Sequence, residues 1–457
     1  MQVTSAGYRL RCAGHSWYVP PLVGRRDAAV ATGADRSLAV READPISHRT
    51  CEGWRDDVLI TGFNSDSMPL GSATVINLDA AANTVSSEEV IDAVVAAMRS
   101  GAANPASAHE LGDRSRAVLT RARDGVLSLL EGALDDGVTF TSGCTEANNT
   151  VFAGIPATTI ITSTVEHPSV LRSAERAASR GTTVLFVPVD RTGLVDLDQL
   201  GAMISSVDGP LLVSIQFANS ETGVIQPIAA IAALLSTRPM TTFHSDAAQA
   251  FGKLPIDLSP GIGPDVITIS GHKLHAPMGV GAIVAAERGV PLAPLLVGGD
   301  QEGSLRAGTE AVPLIAGFGA ACEVRADAMD DCVLRMSRLR DRLENGLRDA
   351  LPDVVLADGA IDRLPNIASI RFPGVDGMSL IAQLDSRGVA ASQGSACSSR
   401  RPEPSHVLMA MGMSERNAFE TVRFSCSALN TGAEIDDATS IIADTVNHLR
   451  SVAWATA

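Results

Sequence analysis

The sequence predicts an α/β protein: a mainly parallel sheet between layers of helices, followed by a smaller α+β domain. Three observations predict it. From Val75 onward, short near-continuous apolar runs alternate with helical stretches, which is how strands buried on both faces and joined by crossover helices read. The runs are rich in Val, Ile, Thr and Phe and are bounded by Gly, Pro, Asn and Asp. The chain has 457 residues, 45% of them hydrophobic, enough to bury more than one core.

Residues 1–73 read as an N-terminal extension. They hold both tyrosines (Tyr8, Tyr18) and two of the three tryptophans (Trp17, Trp54), and Pro20, Pro21, Gly24, Gly33 and Pro45 interrupt them. Their apolar residues keep no sustained period, so a poorly ordered segment is expected, with Met68 as an alternative start. Residues 74–326 read as the large domain. Strands are expected at 158–164, 183–189, 211–217, 241–246, 265–270 and 280–285, with helices between several of them, as at 168–180 and 228–237. Residues 327–457 read as the small domain. It opens with an amphipathic helix over 328–351, continues with a strand at 366–372 and a helix near 377–386, and closes with a helix near 435–450.

Composition excludes several function classes. A net charge of −16 argues against a broad nucleic-acid surface. No apolar run reaches the ~20 residues of a membrane span. The N-terminus lacks a charged start followed by an apolar stretch, so no secretory signal is read. The seven cysteines form no CxxC pair, which points away from a zinc site or a disulfide framework and toward free thiols in the cytoplasm. One count is sharper: the chain has two lysines, Lys253 and Lys273, against 34 arginines. A lysine amine can lose its proton and attack a carbonyl, which a guanidinium cannot do.

The chemistry-bearing residues follow the predicted strands. Ser270, Gly271, His272 and Lys273 end the strand at 265–270, where open α/β sheets place their sites. Lys273 there could hold an aldehyde cofactor as a Schiff base, with Ser270 and His272 donating to a phosphate. Asp246 ends the strand at 241–246. It could hold a pyridinium nitrogen protonated, with Gln249 reaching a ring hydroxyl, or it could cap a helix. Residues 140–154 read as strand, Gly turn and helix. The first N–H groups of that helix, with the Thr145 hydroxyl, suit a phosphate; an ordinary helix cap is the alternative. His167 and Asn219 each follow a strand. An imidazole in that place could stack on a flat ring and move protons, or be structural. Cys397 lies in a small, polar loop beside Arg400 and Arg401, surroundings that favour a reactive thiolate. Arg423 suits bidentate binding of a substrate carboxylate or a salt bridge to a neighbouring acid.

Taken together, these segments resemble the NifS/IscS-type cysteine desulfurases, the group I members of the fold-type I enzymes that use pyridoxal 5′-phosphate (PLP). The likeness rests on ten motifs in family order between about Val75 and Leu449. Among them are 140–146 (FTSGCTE), 245–258 (SDAAQAFGKLPIDL), 270–282 (SGHKLHAPMGVGA), 305–313 (LRAGTEAVP) and 394–399 (GSACSS). The resemblance implies a seven-stranded sheet in the large domain and removal of sulfur from L-cysteine, giving alanine and a persulfide on Cys397. It implies Lys273 as the cofactor's lysine, Asp246 at the pyridine nitrogen, His167 stacked on the ring, and Gln249 and Asn219 near the ring hydroxyl. It places Cys144, Thr145, Ser270, Gly271 and His272 around the phosphate and Arg423 on the substrate carboxylate. It gives Cys397 the long mobile loop of that group. Thr309 would reach the phosphate of a second subunit, so a homodimer is implied. A sulfur-acceptor protein is implied too, serving iron–sulfur assembly, tRNA thiolation or DNA phosphorothioation. Cys144 departs from the pattern, standing where Ala is usual. The chain ends at Ala457, short of the tail with which housekeeping members dock their scaffold. The rival readings are a selenocysteine lyase, another fold-type I enzyme, or a non-catalytic sulfur-carrier scaffold.

Overall fold

The computed structural model describes residues 8–12, 15–19, 75–100, 103–356, 361–394 and 403–455. The chain divides into two compact units, Met1–Pro69 and Leu70–Ala457. In the first, β1 (Tyr8–Cys12) and β2 (His15–Val19) pair as an antiparallel hairpin. The sequence reading assigns no element there; the two five-residue runs are too short to establish a period. Trp54 and Met68 lie outside the described residues.

The second unit opens with β3 (Ile76–Asn77), α1 (Glu88–Arg99) and α2 (Glu110–Leu127). Strands and helices then alternate: β4 (Ala133–Thr141), α3 (Cys144–Gly154), β5 (Thr159–Ser163), α4 (Pro168–Ala178), β6 (Thr183–Val187), α5 (Leu197–Ser206), β7 (Leu211–Ser214), α6 (Ile228–Leu235), β8 (Thr241–Asp246), β9 (Val266–Ser270) and β10 (Gly281–Ala286). Every residue of β5, β7 and β9 is buried, which is why these strands carry apolar residues without the inside–outside alternation of a half-exposed strand.

These strands form one seven-stranded sheet in the order β4-β10-β9-β8-β7-β5-β6. Four neighbouring pairs, from β9 to β6, are parallel, and β10 runs antiparallel to both β4 and β9. Two reversals restore the direction, so β4 points the same way as the parallel strands. The C-terminal ends of β4, β5, β7, β8 and β9 therefore share one edge of the sheet.

The chain continues through α7 (Val312–Asp327), α8 (Met329–Ala350), β11 (Ile367–Arg371), α9 (Gly377–Ser386), β12 (Val389–Ala390), α10 (His406–Ala410), α11 (Glu415–Phe419), β13 (Thr421–Ser425) and α12 (Gly432–Ala455). The unit has two main cores. One packs the sheet against α2 and α7, with Phe318 edge-on to both Phe140 and Phe251 at 6.4 and 6.3 Å between ring centres. The other joins Leu343 and Leu347 of α8 to Phe372, Phe424 and Ile442. Leu78 belongs to this second core, and β3 pairs in parallel with β12. The segment that opens the unit is thus built into the part that closes it.

β10 touches the start of α3 closely. A Cβ on Gly281 would lie 2.5 Å from the Ile269 carbonyl oxygen and 2.8 Å from Gly143 Cα. Gly281→Ala is therefore expected to destabilise the unit by about 1–3 kcal/mol, the usual scale of overpacking. Thermal unfolding of the variant beside the wild type measures it.

Candidate active site

At the shared edge, the residues that follow β4, β5, β7, β8 and β9 turn toward a cavity of about 410 Å³. Of the thirteen residues the sequence singles out, nine line it: Cys144, Thr145, His167, Asp246, Gln249, Ser270, His272, Lys273 and Arg423. Gly271 is buried just behind, its N–H bonded to the Val280 carbonyl. Asn219 is buried as well. Its Oδ1 accepts from the Glu221 and Thr222 N–H groups and its Nδ2 donates to the Val165 carbonyl, so it shapes the loop after β7 rather than lining the cavity. Thr309 is exposed and does not line this chain's own cavity. Cys397 lies outside the described residues.

Lys273 sits in the short 3-10 turn Gly271–Lys273 after β9, and its Nζ donates to the Ala81 and Ala82 carbonyls at 2.6 and 2.5 Å. Asp246, 7% exposed, ends β8. One carboxylate oxygen accepts from the Ala248 N–H at 3.0 Å and the Cys144 thiol at 3.4 Å; the other accepts from Asn148 Nδ2 at 2.8 Å. Gln249 donates to the Ala81 carbonyl, while its Oε1 is buried without a partner. Gly143, at φ 148°, a value that favours glycine, turns the chain from β4 into α3. The first intrahelical bond runs from Ala147 N–H to the Gly143 carbonyl, so the N–H groups of residues 144–146 precede it and face the cavity mouth.

This donor set suits a flat aldehyde carrying a phosphate. An amine and a carboxylate stand on neighbouring strand ends, an orphaned acceptor lies beside them, and an open helix N-terminus with three polar side chains (Thr145, Ser270, His272) completes the lining. Comparison with known proteins agrees. Residues 76–437 match the class-V aminotransferase family. A cysteine desulfurase of Sinorhizobium fredii is 42% identical over 382 residues, covering 82% of this chain and 97% of that one. The chain belongs to the cysteine desulfurase family. The NifS cysteine desulfurase of Azotobacter vinelandii is 38% identical over 82% of this chain and 94% of its own. The solved structure of a NifS-like protein superposes with a TM-score of 0.75 at 32% identity, covering 82% of this chain and all of that one. Members of this family are PLP-dependent enzymes, and this chain is an enzyme of that type.

The desulfurase site has a buried layer that the sequence reading misses. Asn148, fully buried on α3, bonds Asp246, Ser169 and Thr268. Thr268 contacts His244, which contacts Ser214. Ser169 contacts His167 Nδ1 through both its hydroxyl and its N–H. The available signal was polar residues inside apolar strands: His244 in β8, Thr268 in β9 and Ser214 in β7. Arg423 pairs with Asp79 at 2.6 Å and donates to the Ser220 carbonyl, while its Nε is buried without a partner. Among the described residues no group of His, Cys, Asp and Glu is placed to hold a metal ion.

Burial sets the protonation. It lowers the imidazoles of His167, His244 and His272, the last two to about 4, so all three are neutral near pH 7. It raises Glu166, behind His167, to about 8. Cys144 is partly exposed as a residue, yet its sulfur faces inward, and burial followed by the Asp246 charge pushes the thiol well up. His244 gives a pH test. Unfolded, it takes a proton near 6.5; folded, it refuses one until about 4. Its share of stability is full above 6.5 and is lost as the pH falls toward 4. Glu166 works in the opposite sense between 4.5 and about 8. The melting temperature of His244→Gln is therefore expected to fall less than that of the wild type between pH 7 and pH 5.

Proposed function

We propose that the chain removes sulfur from L-cysteine, leaves it as a persulfide on Cys397 and releases alanine, with PLP held in the cavity. The observation that carries this reading is the placement of Lys273 and Asp246 at the ends of adjacent strands, facing one cavity with the N-terminus of α3. Bound there, PLP supplies an electron sink that makes the substrate's α-hydrogen acidic.

The chain's own groups do the rest. Lys273 would hold the aldehyde carbon and would take the substrate's α-proton on Nζ. Asp246, anchored by three donors, would keep a proton on the ring nitrogen. Gln249 Oε1, with no partner of its own, would accept from the ring hydroxyl, and Asn219 holds the adjoining loop. The N–H groups at Cys144 and Thr145, with Ser270 and His272 and with Gly271 behind them, would hold the phosphate. His167 lines the cavity and would stack on the ring. The N–H of Ser169 points at its Nδ1, so its proton rides on Nε2 and can be donated there. Arg423, which lines the cavity, would take the substrate carboxylate.

The thiol chemistry supports Cys397 as the acceptor. Cys144 and Cys322 are held well above the ordinary thiol range, and Cys426 is pushed up to about 12, so these three stay protonated and are poor nucleophiles. Attack by the Cys397 thiolate on the substrate sulfur would form the sulfur–sulfur bond and break the carbon–sulfur bond, whose electron pair stays on the substrate's β-carbon; a proton added there leaves alanine. The exposed Thr309 fits a homodimer in which it reaches the other copy's phosphate. No helix among the described residues is long and apolar enough to cross a membrane, which agrees with a cytoplasmic enzyme handing sulfur to an acceptor protein.

Two variants test the reading. Lys273→Ala is expected to lose the visible absorbance of attached PLP and at least ~10³-fold in turnover, the scale of losing a covalent and acid–base residue. Cys397→Ser is expected to keep the absorbance and to show no persulfide by mass spectrometry after incubation with cysteine. A persulfide found on Cys144 or Cys426 of the wild type would remove Cys397 from the reaction.

A further inference from the structure

The chain keeps two lysines, and the proposed reaction uses one. The other, Lys253, is 4% exposed and closes the turn that follows β8. Its Nζ donates to the Gln249 carbonyl at 3.0 Å and to the Lys273 carbonyl at 3.3 Å. The first carbonyl belongs to the turn that carries Asp246 and Gln249. The second is the backbone of the residue proposed to hold the cofactor.

The setting is unusual for a space-filling residue. Burial, then the positive charges of Arg325 on α7 and of Lys273, lowers the Lys253 amine to about 7. Its charge in turn acts on His272 and His275. The charged groups acting on it are cations, and an ammonium buried among cations is costly. Met or Leu would fill the same volume without that cost. What the amine adds is a pair of N–H donors aimed at two carbonyls on separate turns. Arginine cannot substitute: its guanidinium keeps its charge and spreads its donors over a wider planar fork.

We propose that Lys253 is a positioning residue of the cofactor site, its amine joining the turn that bears Asp246 and Gln249 to the turn that bears Lys273 and fixing their separation. The proposal rests on the reading that Lys273 holds PLP. It also accounts for the lysine count: of the two amines kept in an arginine-rich chain, one carries the cofactor and the other aligns it.

The test uses the full chain purified with PLP, as wild type and as Lys253→Met, Lys253→Gln and Lys253→Arg. Borohydride reduction and peptide mapping first locate the attached cofactor. A wild-type label absent from Lys273 overturns the functional reading and this proposal with it; a label on Lys273 leaves Lys253 to be judged alone. Lys253→Met, in which Lys273 is the sole lysine, is expected to carry the label yet release unreduced PLP about tenfold faster on dilution, the scale of a lost buried hydrogen bond. Its kcat is expected to fall about 10- to 100-fold, as for a small misplacement of a reacting group, with KM for cysteine within ~2-fold. Lys253→Gln, which keeps an N–H donor at similar reach, is expected to recover most of the retention and kcat; Lys253→Arg is not. Wild-type PLP release and kcat in Lys253→Met, with only a lowered melting temperature, would make the residue a packing element and overturn the proposal. If Lys253→Met yields no folded protein, equal values for the Gln and Arg variants overturn it.

Discussion

The carboxamide of Asn148 holds this site in a single arrangement. Its two Nδ2 hydrogens go to Asp246 and to Ser169, and its Oδ1 accepts from Thr268. Each assignment dictates the next. The Thr268 hydroxyl donates to Asn148, so it must accept from His244, which therefore carries its proton on Nε2. His244 Nδ1 then accepts from the Ser214 hydroxyl. On the other side the Ser169 hydroxyl accepts from Asn148 and so donates to His167. One direction of donation runs from the middle of the sheet to both groups that face the cavity. In a buried, low-dielectric layer such a chain is stable only when every member is satisfied. It requires His244 neutral, which agrees with the depression of its basicity by burial.

The sheet supplies the frame for that chain. β7, β8 and β9 are adjacent and parallel, so Ser214, His244 and Thr268 stack across neighbouring strands. α3 lies against β8 and β9 and brings Asn148 to them. Reversal of β10 sets β4 alongside with its end on the same edge, so α3 begins at the cavity and runs back over the sheet.

Much of this was legible in sequence. β8 and α9 begin and end where the sequence reading puts them, because each is bounded sharply: β8 by Asp246 and a polar turn, α9 by Asp376, whose side chain caps it. Strand ends gave the site, since Lys273, Asp246 and His167 each follow an apolar run. Other parts were not legible for physical reasons. β4 mixes Asp135, Asp136 and Gly137 with apolar residues and is buried only in its last four, so its pattern starts late. β3 and β12 pair over two residues more than 300 positions apart, and local periodicity carries no information about such a partner. Asn148 reads as an ordinary helix residue; only its burial against two strands reveals its part. Arg423 shows the salt bridge of its two sequence alternatives, paired with Asp79, and its Nε is buried without a partner.

The near-absence of lysine also changes how the second unit meets its chemical surroundings. An aldehyde in solution adds to any exposed primary amine. Here neither side-chain amine is on open surface: Lys253 is enclosed, and Lys273 is half-buried in the cavity wall. Stray adducts have little to attack, so an aldehyde reaching this molecule is directed to one place. The same economy removes the handles on which amine-coupling crosslinkers and lysine-directed protein tags depend, while the arginine-rich surface keeps its positive charges without offering a nucleophile.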